Sequence, residues 1–229
     1  MITYKNKLKY NRLFICIINN LMYFLAHILT YWISCIYYLY YDSKIWNNPE
    51  EWNKVKIQKW KPGIQSLWIK NSLASLGNNL VSYFVISLIP KPTVTIDFWN
   101  DCMIFLCYLV LIDFYFYTTH YAFHTKYLYK YHKWHHKVSI TIASSALDAN
   151  IYEHLIVNLG SLCVPYFILG GSKFLFYFII IFITNHTCKT HSGYKRLFIK
   201  HDIHHQLLNY NYGTVGIVDF LFGTYRGFI

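Results

Sequence analysis

The residues of this chain that could do chemistry are its histidines. Eleven of the twelve histidines fall between residues 120 and 205, where an even spread would place about four or five. They follow two spacings, HxxxH at 120–124 and HxxHH at both 132–136 and 201–205. Residues at i, i+3 and i+4 share one face of a helix, so each motif predicts a set of imidazoles that point the same way.

Grouped imidazoles are typical of a metal centre, because neutral imidazole binds iron, zinc and copper well. Two further histidines lie in the segment "NHTCKTHSGY" at 185–194. With the three motifs they supply enough nitrogens for two metal ions with about five ligands each. The predicted ligands are His120, His124, His132, His135, His136, His186, His191, His201, His204 and His205.

Other interpretations of the histidines stay open. The imidazoles could be solvated groups at a membrane interface, although chance does not readily produce three spaced motifs. A haem protein would need only two facing imidazoles and would show a Soret band. A non-catalytic membrane protein could keep the cluster as a structural zinc site or a lipid-binding scaffold. A zinc hydrolase of the HExxH type is not supported, because the chain contains no His-Glu dipeptide.

The composition predicts an integral membrane protein. Of the 229 residues, 55% are hydrophobic and only 14% are charged, whereas a soluble domain carries about 25% charged residues. The formal net charge is +11, but the basic residues lie in short runs between apolar segments. Such runs are typical of helix ends that meet lipid headgroups, so we expect no nucleic-acid partner.

Four apolar segments predict an all-α bundle of about four transmembrane helices. They cover residues 13–41, 72–89, 98–119 and 151–184, and the last is interrupted by Gly170-Gly171-Ser172, which predicts a hairpin. If the hairpin crosses and returns, both His-rich segments lie on one basic membrane face, which the positive-inside rule assigns to the cytosol. We therefore expect a multi-pass protein with a cytosolic His-rich helical cap.

Asp113 is predicted to lie on the same helical face as the first motif. Asp113, Tyr117, His120 and His124 are spaced i, i+4, i+7 and i+11, which places the carboxylate about two turns inside the membrane. It could accept a hydrogen bond from a ligating imidazole and fix its tautomer. It could equally make a hydrogen bond to a neighbouring helix, and the spacing alone does not distinguish these two roles.

The order of the motifs resembles that of the fatty acid hydroxylase / sterol desaturase superfamily over roughly residues 98–227. "DFYFYTTHYAFH" is similar to the acidic-aromatic segment that leads into the superfamily's HxxxH motif, and "LYKYHKWHH" is similar to its HxxHH motif. "HSGY" at 191–194 and the segment from "HDIHHQLLNYNYG" to "VDFLFGTYR" at 201–226 resemble its C-terminal signature.

One branch of the superfamily, the sterol C4-methyl oxidases and cholesterol 25-hydroxylases, looks nearest. "NIYEHLIVNLGSLCVP" is similar to the C4-methyl oxidase segment that follows HxxHH, with Glu153 and Pro165 at matching positions. The chain departs from that pattern at Asn150, where those enzymes carry a histidine, and His154 does not sit at the same register. We therefore leave His154 out of the ligand set.

The resemblance implies a membrane enzyme that holds two iron ions, with zinc able to bind in vitro. The implied reaction uses O2 to hydroxylate or desaturate a C–H bond of a sterol or fatty acyl lipid. Asp113, Glu153 and Asp219 are implied to support the ligands from behind. Electrons are implied to come from cytochrome b5 or a similar donor with an NAD(P)H reductase, since neither an HPGG motif nor a Rossmann fingerprint occurs in this sequence.

The resemblance also implies a location and a division of the chain. The implied location is the endoplasmic reticulum or an equivalent internal membrane, with the His clusters on the cytosolic side. Residues 1–97 are expected to form an N-terminal membrane and interfacial region, which resembles the superfamily only in hydrophobicity. Residues 98–229 are expected to form the catalytic region.

Overall fold

The computed structural model of the protein is all-helical, which confirms the predicted fold class. It describes residues 4–87, 89, 96–138, 140–195 and 201–227, with side chains from residue 21 onward. Short 3-10 helices occupy His135–Lys137 and Ala143–Leu147, and a π-helical turn occupies His154–Leu159. The α-helices are α1 (Tyr4–Ser43), α2 (Pro49–Val55), α3 (Ile64–Ser87), α4 (Phe98–Phe123), α5 (Tyr129–His132), α6 (Ile151–Glu153), α7 (Gly160–Leu169), α8 (Lys173–Thr190), α9 (His201–Leu207) and α10 (Ile217–Leu221).

Three helical segments of the described chain are long and apolar enough to cross a membrane. They are Leu21–Ser43 within α1, Phe98–Phe123, which is α4, and Ile151–Leu169, which runs from α6 through the π-helical turn to α7. These segments agree with the predicted membrane bundle. The span expected at 72–89 falls largely within α3, which already begins at Ile64. The predicted total of about four spans stays a prediction.

A stripe of buried polar residues runs along α3. Ser75, Asn78 and Ser82 are buried and lie on one helical face. The Asn78 amide donates to the carbonyl oxygen of Leu147 at 2.8 Å, and the Tyr31 hydroxyl donates to Ser75 Oγ at 2.7 Å. The stripe therefore ties α3 to α1 and to the loop that follows the first HxxHH motif.

A glycine turn links α7 to α8 where the sequence predicts it. Gly170 and Gly171 have φ values of +70° and +119°, a backbone region that glycine adopts without strain. Asp101, near the start of α4, accepts hydrogen bonds from the backbone N–H and the hydroxyl of Ser172. The turn thus lies beside the start of α4. The far ends of α4 and α8, which lead into the His-rich segments, meet at the opposite end of the bundle.

One apolar core joins the two regions that the sequence suggests. Tyr23 of α1 and Ile86 of α3 pack in the same buried cluster as Ile112 of α4 and Phe176 of α8. The division at residues 97 and 98 therefore stays a prediction, and the described helices on either side of it share a hydrophobic interior.

Candidate metal centre

Five imidazoles form the first histidine group, which we call site A: His120, His124, His132, His136 and His204. Their Nε2 atoms converge. The Nε2 of His132 lies 3.0 Å from that of His120, 2.9 Å from that of His124 and 2.8 Å from that of His136. The Nε2 of His204 closes the ring, at 3.0 Å from His124 and 3.1 Å from His136.

Four imidazoles form the second group, which we call site B: His135, His191, His201 and His205. The Nε2 of His135 lies 3.2 Å from that of His191 and 3.1 Å from that of His205. The His201 ring lies beside the His191 ring, with centroids 4.8 Å apart and an angle of 46° between the ring planes. Site B is therefore built like site A, with ring nitrogens that face a common point.

Each HxxHH motif serves both sites. In the first motif, His132 and His136 belong to site A and His135 belongs to site B. In the second motif, His204 belongs to site A, and His201 and His205 belong to site B. The i and i+4 residues share a helical face while the i+3 residue lies to one side, so a short helical turn can feed two adjacent centres.

The hydrogen bonds behind the rings fix which nitrogen faces the centre. The Nδ1 atoms of His120 and His204 lie 2.8 and 2.7 Å from the carbonyl oxygens of Tyr212 and Tyr210. The Nδ1 of His191 lies 2.9 Å from the Thr187 carbonyl. A carbonyl only accepts hydrogen bonds, so Nδ1 carries the proton and Nε2 keeps a lone pair. The His135 Nδ1 has the same arrangement with the Asp148 carbonyl, at 3.0 Å.

The donor set fits metal cations. Neutral Nε2 lone pairs about 3 Å apart repel one another unless a positive charge lies between them. Metal–nitrogen bonds of about 2.1 Å place neighbouring ligands about 3.0 Å apart in an octahedron and about 3.4 Å apart in a tetrahedron. The spacings in site A, from 2.8 to 3.1 Å, match the octahedral edge.

Burial keeps these imidazoles neutral. It lowers the pKa of His132 to about 3 through desolvation. Desolvation, reinforced by neighbouring imidazoles, also lowers the pKa of His124 and of His191 to about 3. Histidine must be unprotonated to bind a metal, so the lining of both sites is in the ligating form at neutral pH.

His186 is the one predicted ligand that the structure does not bring into either group. Its Nε2 lies 2.9 Å from the carbonyl oxygen of Thr214, so that nitrogen carries a proton and cannot also bind a cation. Its ring stacks on Phe182. His154, which the sequence comparison leaves out, also lies outside both groups, with Nε2 3.0 Å from Ser82 Oγ.

Glu153 stands directly behind a site A imidazole. Its Oε1 lies 3.0 Å from Nδ1 of His132, and both side chains are buried. A carboxylate in this position would orient the ring and make Nε2 a stronger donor to a bound cation. Sequence comparison predicted a supporting role for this residue, and the contact shows how it would act.

We expect the substitution Glu153→Gln to weaken metal binding at site A by about 10- to 100-fold, the usual effect of losing such a carboxylate. Competition with a chelator measures the affinity. Asp148→Asn is the matched control, because His135 contacts only the backbone carbonyl of Asp148. Equal metal affinity of Glu153→Gln and the unmodified protein would show that the carboxylate does not tune His132.

Asp113 and Asp219 act on the site through the backbone and not by direct contact with an imidazole. Asp113 accepts the N–H groups of Val215, Gly216 and Val218 at 2.7 to 3.1 Å. Asp219 accepts those of Tyr212 and Gly213 at 2.8 and 2.6 Å. Together they hold the loop whose Tyr212 carbonyl orients His120. Asp113 is two helical turns, about 10 Å along α4, from His120, which is too far for a direct hydrogen bond between its carboxylate and that imidazole.

Gly213 lies where these two carboxylates meet. A Cβ atom at this position would come within 2.5 Å of Asp113 Oδ1 and 2.8 Å of Asp219 Oδ2. A larger residue here would push the two carboxylates away from the N–H groups whose hydrogen bonds they accept, which accounts for the glycine.

A buried ion pair lies behind site B, and the local sequence does not indicate it. Lys56 Nζ lies 2.5 Å from Asp42 Oδ1 and 2.6 Å from the carbonyl oxygen of Ser192. The Tyr194 hydroxyl also donates to Asp42, at 2.8 Å. Ser192 follows the site B residue His191, so the pair anchors the "HSGY" segment to α1. Lys56 lies in a lysine-rich polar stretch of the sequence, yet its side chain is only 1% exposed.

The helical membrane fold and the clustered imidazoles define a class, namely helical membrane proteins with a histidine-rich metal centre. The sequence profile described as fatty acid hydroxylase matches residues 105–224. This match covers just over half of the chain, and the chain therefore belongs to the fatty acid hydroxylase family.

Curated relatives match over a similar part of the chain. It is 38% identical over 128 residues to a fatty acid hydroxylase of Mycosarcoma maydis, covering 52% of this chain and 33% of the relative. It is 33% identical over 116 residues to a human fatty acid hydroxylase domain-containing protein, covering 48% and 34%. It is 32% identical over 136 residues to a very-long-chain aldehyde decarbonylase of Oryza sativa, covering 52% and 51%. The chain thus spans a third to a half of the length of these relatives, and no solved structure matches it.

Proposed function

We propose that this chain is a membrane oxidoreductase that binds two iron ions, one in site A and one in site B, and uses O2 to oxidise a C–H bond of a sterol or fatty acyl lipid. The observation that carries the proposal is the division of each HxxHH motif between two adjacent nitrogen-lined sites. When bound, a pair of iron ions supplies the O2-dependent redox chemistry that an unactivated C–H bond requires.

The ligand chemistry favours iron over a structural zinc ion. Structural zinc sites are almost always four-coordinate and tetrahedral. Site A offers five imidazole nitrogens with spacings that fit an octahedron, and neither site includes a cysteine. Zinc would still bind imidazoles in vitro, so metal identity has to be measured on protein purified from cells grown with iron.

Two small adjoining cavities, about 50 and 30 Å³ in volume, connect the bundle interior to the imidazoles, and a lipid chain would have to widen them to enter. One lies in the bundle and is lined by His27, Tyr31 and Leu162, among others. The other is lined by the site residues His120 and His191. Both cavities share the lining residues Phe116, Ala146, Asn158, Thr187 and Thr214. The chain's own residues would thus lead an apolar substrate from the bundle interior to the imidazoles.

The bundle cavity also offers polar atoms to its occupant. Within the described part of the chain, His27 Nε2 and Thr214 Oγ1 are buried without a hydrogen-bond partner. Buried polar atoms normally find a partner. A substrate that carries a hydroxyl or carbonyl oxygen fits them better than a plain hydrocarbon, which favours sterols, alcohols or aldehydes among the candidate lipids.

The electron donor and the membrane location extend the same proposal. We assign electron supply to cytochrome b5 or a similar donor with an NAD(P)H reductase. The lysines at 126, 130, 133 and 137 are exposed around the first HxxHH motif and would attract an acidic partner. The same basic residues favour a cytosolic position of the His clusters, in the endoplasmic reticulum or an equivalent internal membrane.

A second candidate reaction is aldehyde decarbonylation. The similarity to the Oryza sativa relative covers about half of that protein, a larger share than for the other two relatives. The polar atoms in the bundle cavity would accommodate an aldehyde oxygen as well as a hydroxyl. Product analysis separates the two reactions, because decarbonylation shortens the chain by one carbon and hydroxylation does not.

The test is the isolation of the full chain from cells that express it, followed by metal analysis and incubation with lipid extracts under 18O2. We expect two irons per chain and lipid-dependent O2 consumption. Hydroxylation would place 18O in the lipid product, whereas desaturation would give a lipid with a new double bond and no 18O. Bound zinc without O2 consumption would favour the structural-site interpretation. A Soret band would instead identify a haem protein.

A further inference from the structure

The C-terminal part of the cap exposes a cluster of large apolar side chains. Phe220, Leu221 and Phe222 are 76%, 73% and 64% exposed. They lie on or directly after α10, in a part of the chain that the sequence places in a polar cytosolic cap. Three adjacent exposed apolar side chains of this size are unusual on a water-facing surface.

The position of α10 along α4 places it at membrane depth. Asp113 of α4 accepts the N–H groups of Val215, Gly216 and Val218, so the start of α10 lies against Asp113. α4 spans Phe98–Phe123, whereas the hydrocarbon layer takes about 20 residues of helix. Wherever about 20 consecutive residues of α4 are placed in the hydrocarbon layer, Asp113 lies at least about 6 Å inside the nearer edge of that layer.

The charge pattern of this segment agrees with immersion. Between Gln206 and Tyr225 the only charged residue is Asp219, and its side chain is buried. On the neighbouring surface of α4, Val110 and Phe114 are also exposed apolar residues. An apolar surface therefore continues from α4 onto α10 without an exposed charge.

Most backbone N–H groups of the segment have hydrogen-bond partners within the protein. Irregular backbone is tolerated at membrane depth only where its polar groups find partners within the protein. Asp113 and Asp219 accept the N–H groups of residues 212, 213, 215, 216 and 218. The N–H groups of residues 211, 220 and 222–225 donate to carbonyl oxygens within 216–224.

We propose that residues 210–225 form a re-entrant segment that dips into the bilayer and contacts its hydrocarbon through Phe220, Leu221 and Phe222. The two aspartates then have a role that a cytosolic loop would not need, since they replace the water that would otherwise solvate the backbone. The segment also carries the Tyr210 and Tyr212 carbonyls that orient His204 and His120. Site A is thereby fixed against an element that touches lipid.

The experiment is photocrosslinking of the full chain in phospholipid nanodiscs, with p-benzoylphenylalanine in place of Phe220. We expect adducts with phospholipid acyl chains, detected by the mass of the protein, at a yield comparable to that of the same probe in place of Phe114. The probe in place of Tyr127, which is 73% exposed beyond the end of α4, is expected to give a severalfold lower yield.

The other outcomes would overturn the proposal. A yield at position 220 as low as that at position 127 would place the segment in water. A crosslink to a second protein would show that a partner, and not lipid, covers the apolar cluster. Failure of the Phe114 position to label would show that α4 does not span, which removes the depth argument. Each labelled protein is checked for retained metal, and none of the three positions is a proposed ligand.

Discussion

Replacing His205 or His136 by alanine is expected to lower the bound iron from two ions per chain to one or fewer and to abolish lipid oxidation. His205 belongs to site B and His136 to site A, so the two variants address the two sites separately. We expect activity to fall by at least about a thousandfold, which corresponds to the loss of about 4 kcal/mol of transition-state stabilisation. Metal analysis and lipid-dependent O2 consumption measure the two effects.

His186→Ala is the matched control for these variants. This side chain is a buried histidine of the same region, but its Nε2 contacts the Thr214 carbonyl and lies outside both sites. We expect this variant to keep both irons and most of its activity. If His186→Ala lost an iron while His136→Ala kept both, the assignment of ligands to sites A and B would be wrong.

Replacing Lys56 by methionine is expected to destabilise the protein by about 3–5 kcal/mol, the usual effect of leaving one member of a buried ion pair without its partner. The change leaves the Asp42 carboxylate, which is 0% exposed, without its counter-charge, and it frees the Ser192 carbonyl. For a chain of this size the midpoint of thermal unfolding should fall by about 10 °C. The adjacent ligand His191 should bind its metal more weakly, which chelator competition measures independently.

Lys54→Met provides the control from the same segment. Lys54 pairs with Glu51 at 3.7 Å on the surface, where its side chain is 73% exposed, and such pairs contribute about 1 kcal/mol or less. The double variant Asp42→Asn with Lys56→Met should recover part of the lost stability, because it removes both buried charges. Equal unfolding midpoints for Lys56→Met and Lys54→Met would show that the buried pair does not stabilise the fold.

Motif spacing predicted which regions would converge but not how the imidazoles would divide between two sites. The spacing places i, i+3 and i+4 on one broad helical face, but it does not say whether that face lines one centre or two. The regular helix α9 (His201–Leu207) presents His204 to site A and His201 and His205 to site B. His186 lies in the same His-rich region of the sequence but contacts the Thr214 carbonyl. Thr214 belongs to the C-terminal loop, so the residues next to His186 give no indication of this contact.

The long-range contacts of the N-terminal helices also cannot be predicted from the local sequence. Lys56 is one of several lysines in a polar stretch, and nothing near it in the sequence indicates that its partner is Asp42 at the end of α1. The polar stripe of α3 is visible as Asn and Ser residues at helical spacing, but its partner loop at 147–149 is far away in the chain. Local patterns predict helices and turns, whereas long-range contacts between polar groups have to be observed.

The sharing of each HxxHH motif between two sites has a consequence for how the protein acquires its metals. If both sites bind iron as proposed, an ion in site A would hold the backbone around His132 and His204, and that backbone also carries His135 and His205 of site B. A second ion would then meet ligands whose conformational entropy has already been lost, which favours its binding. Loading should be cooperative, and a cell short of iron would contain filled and empty molecules with few that hold a single ion.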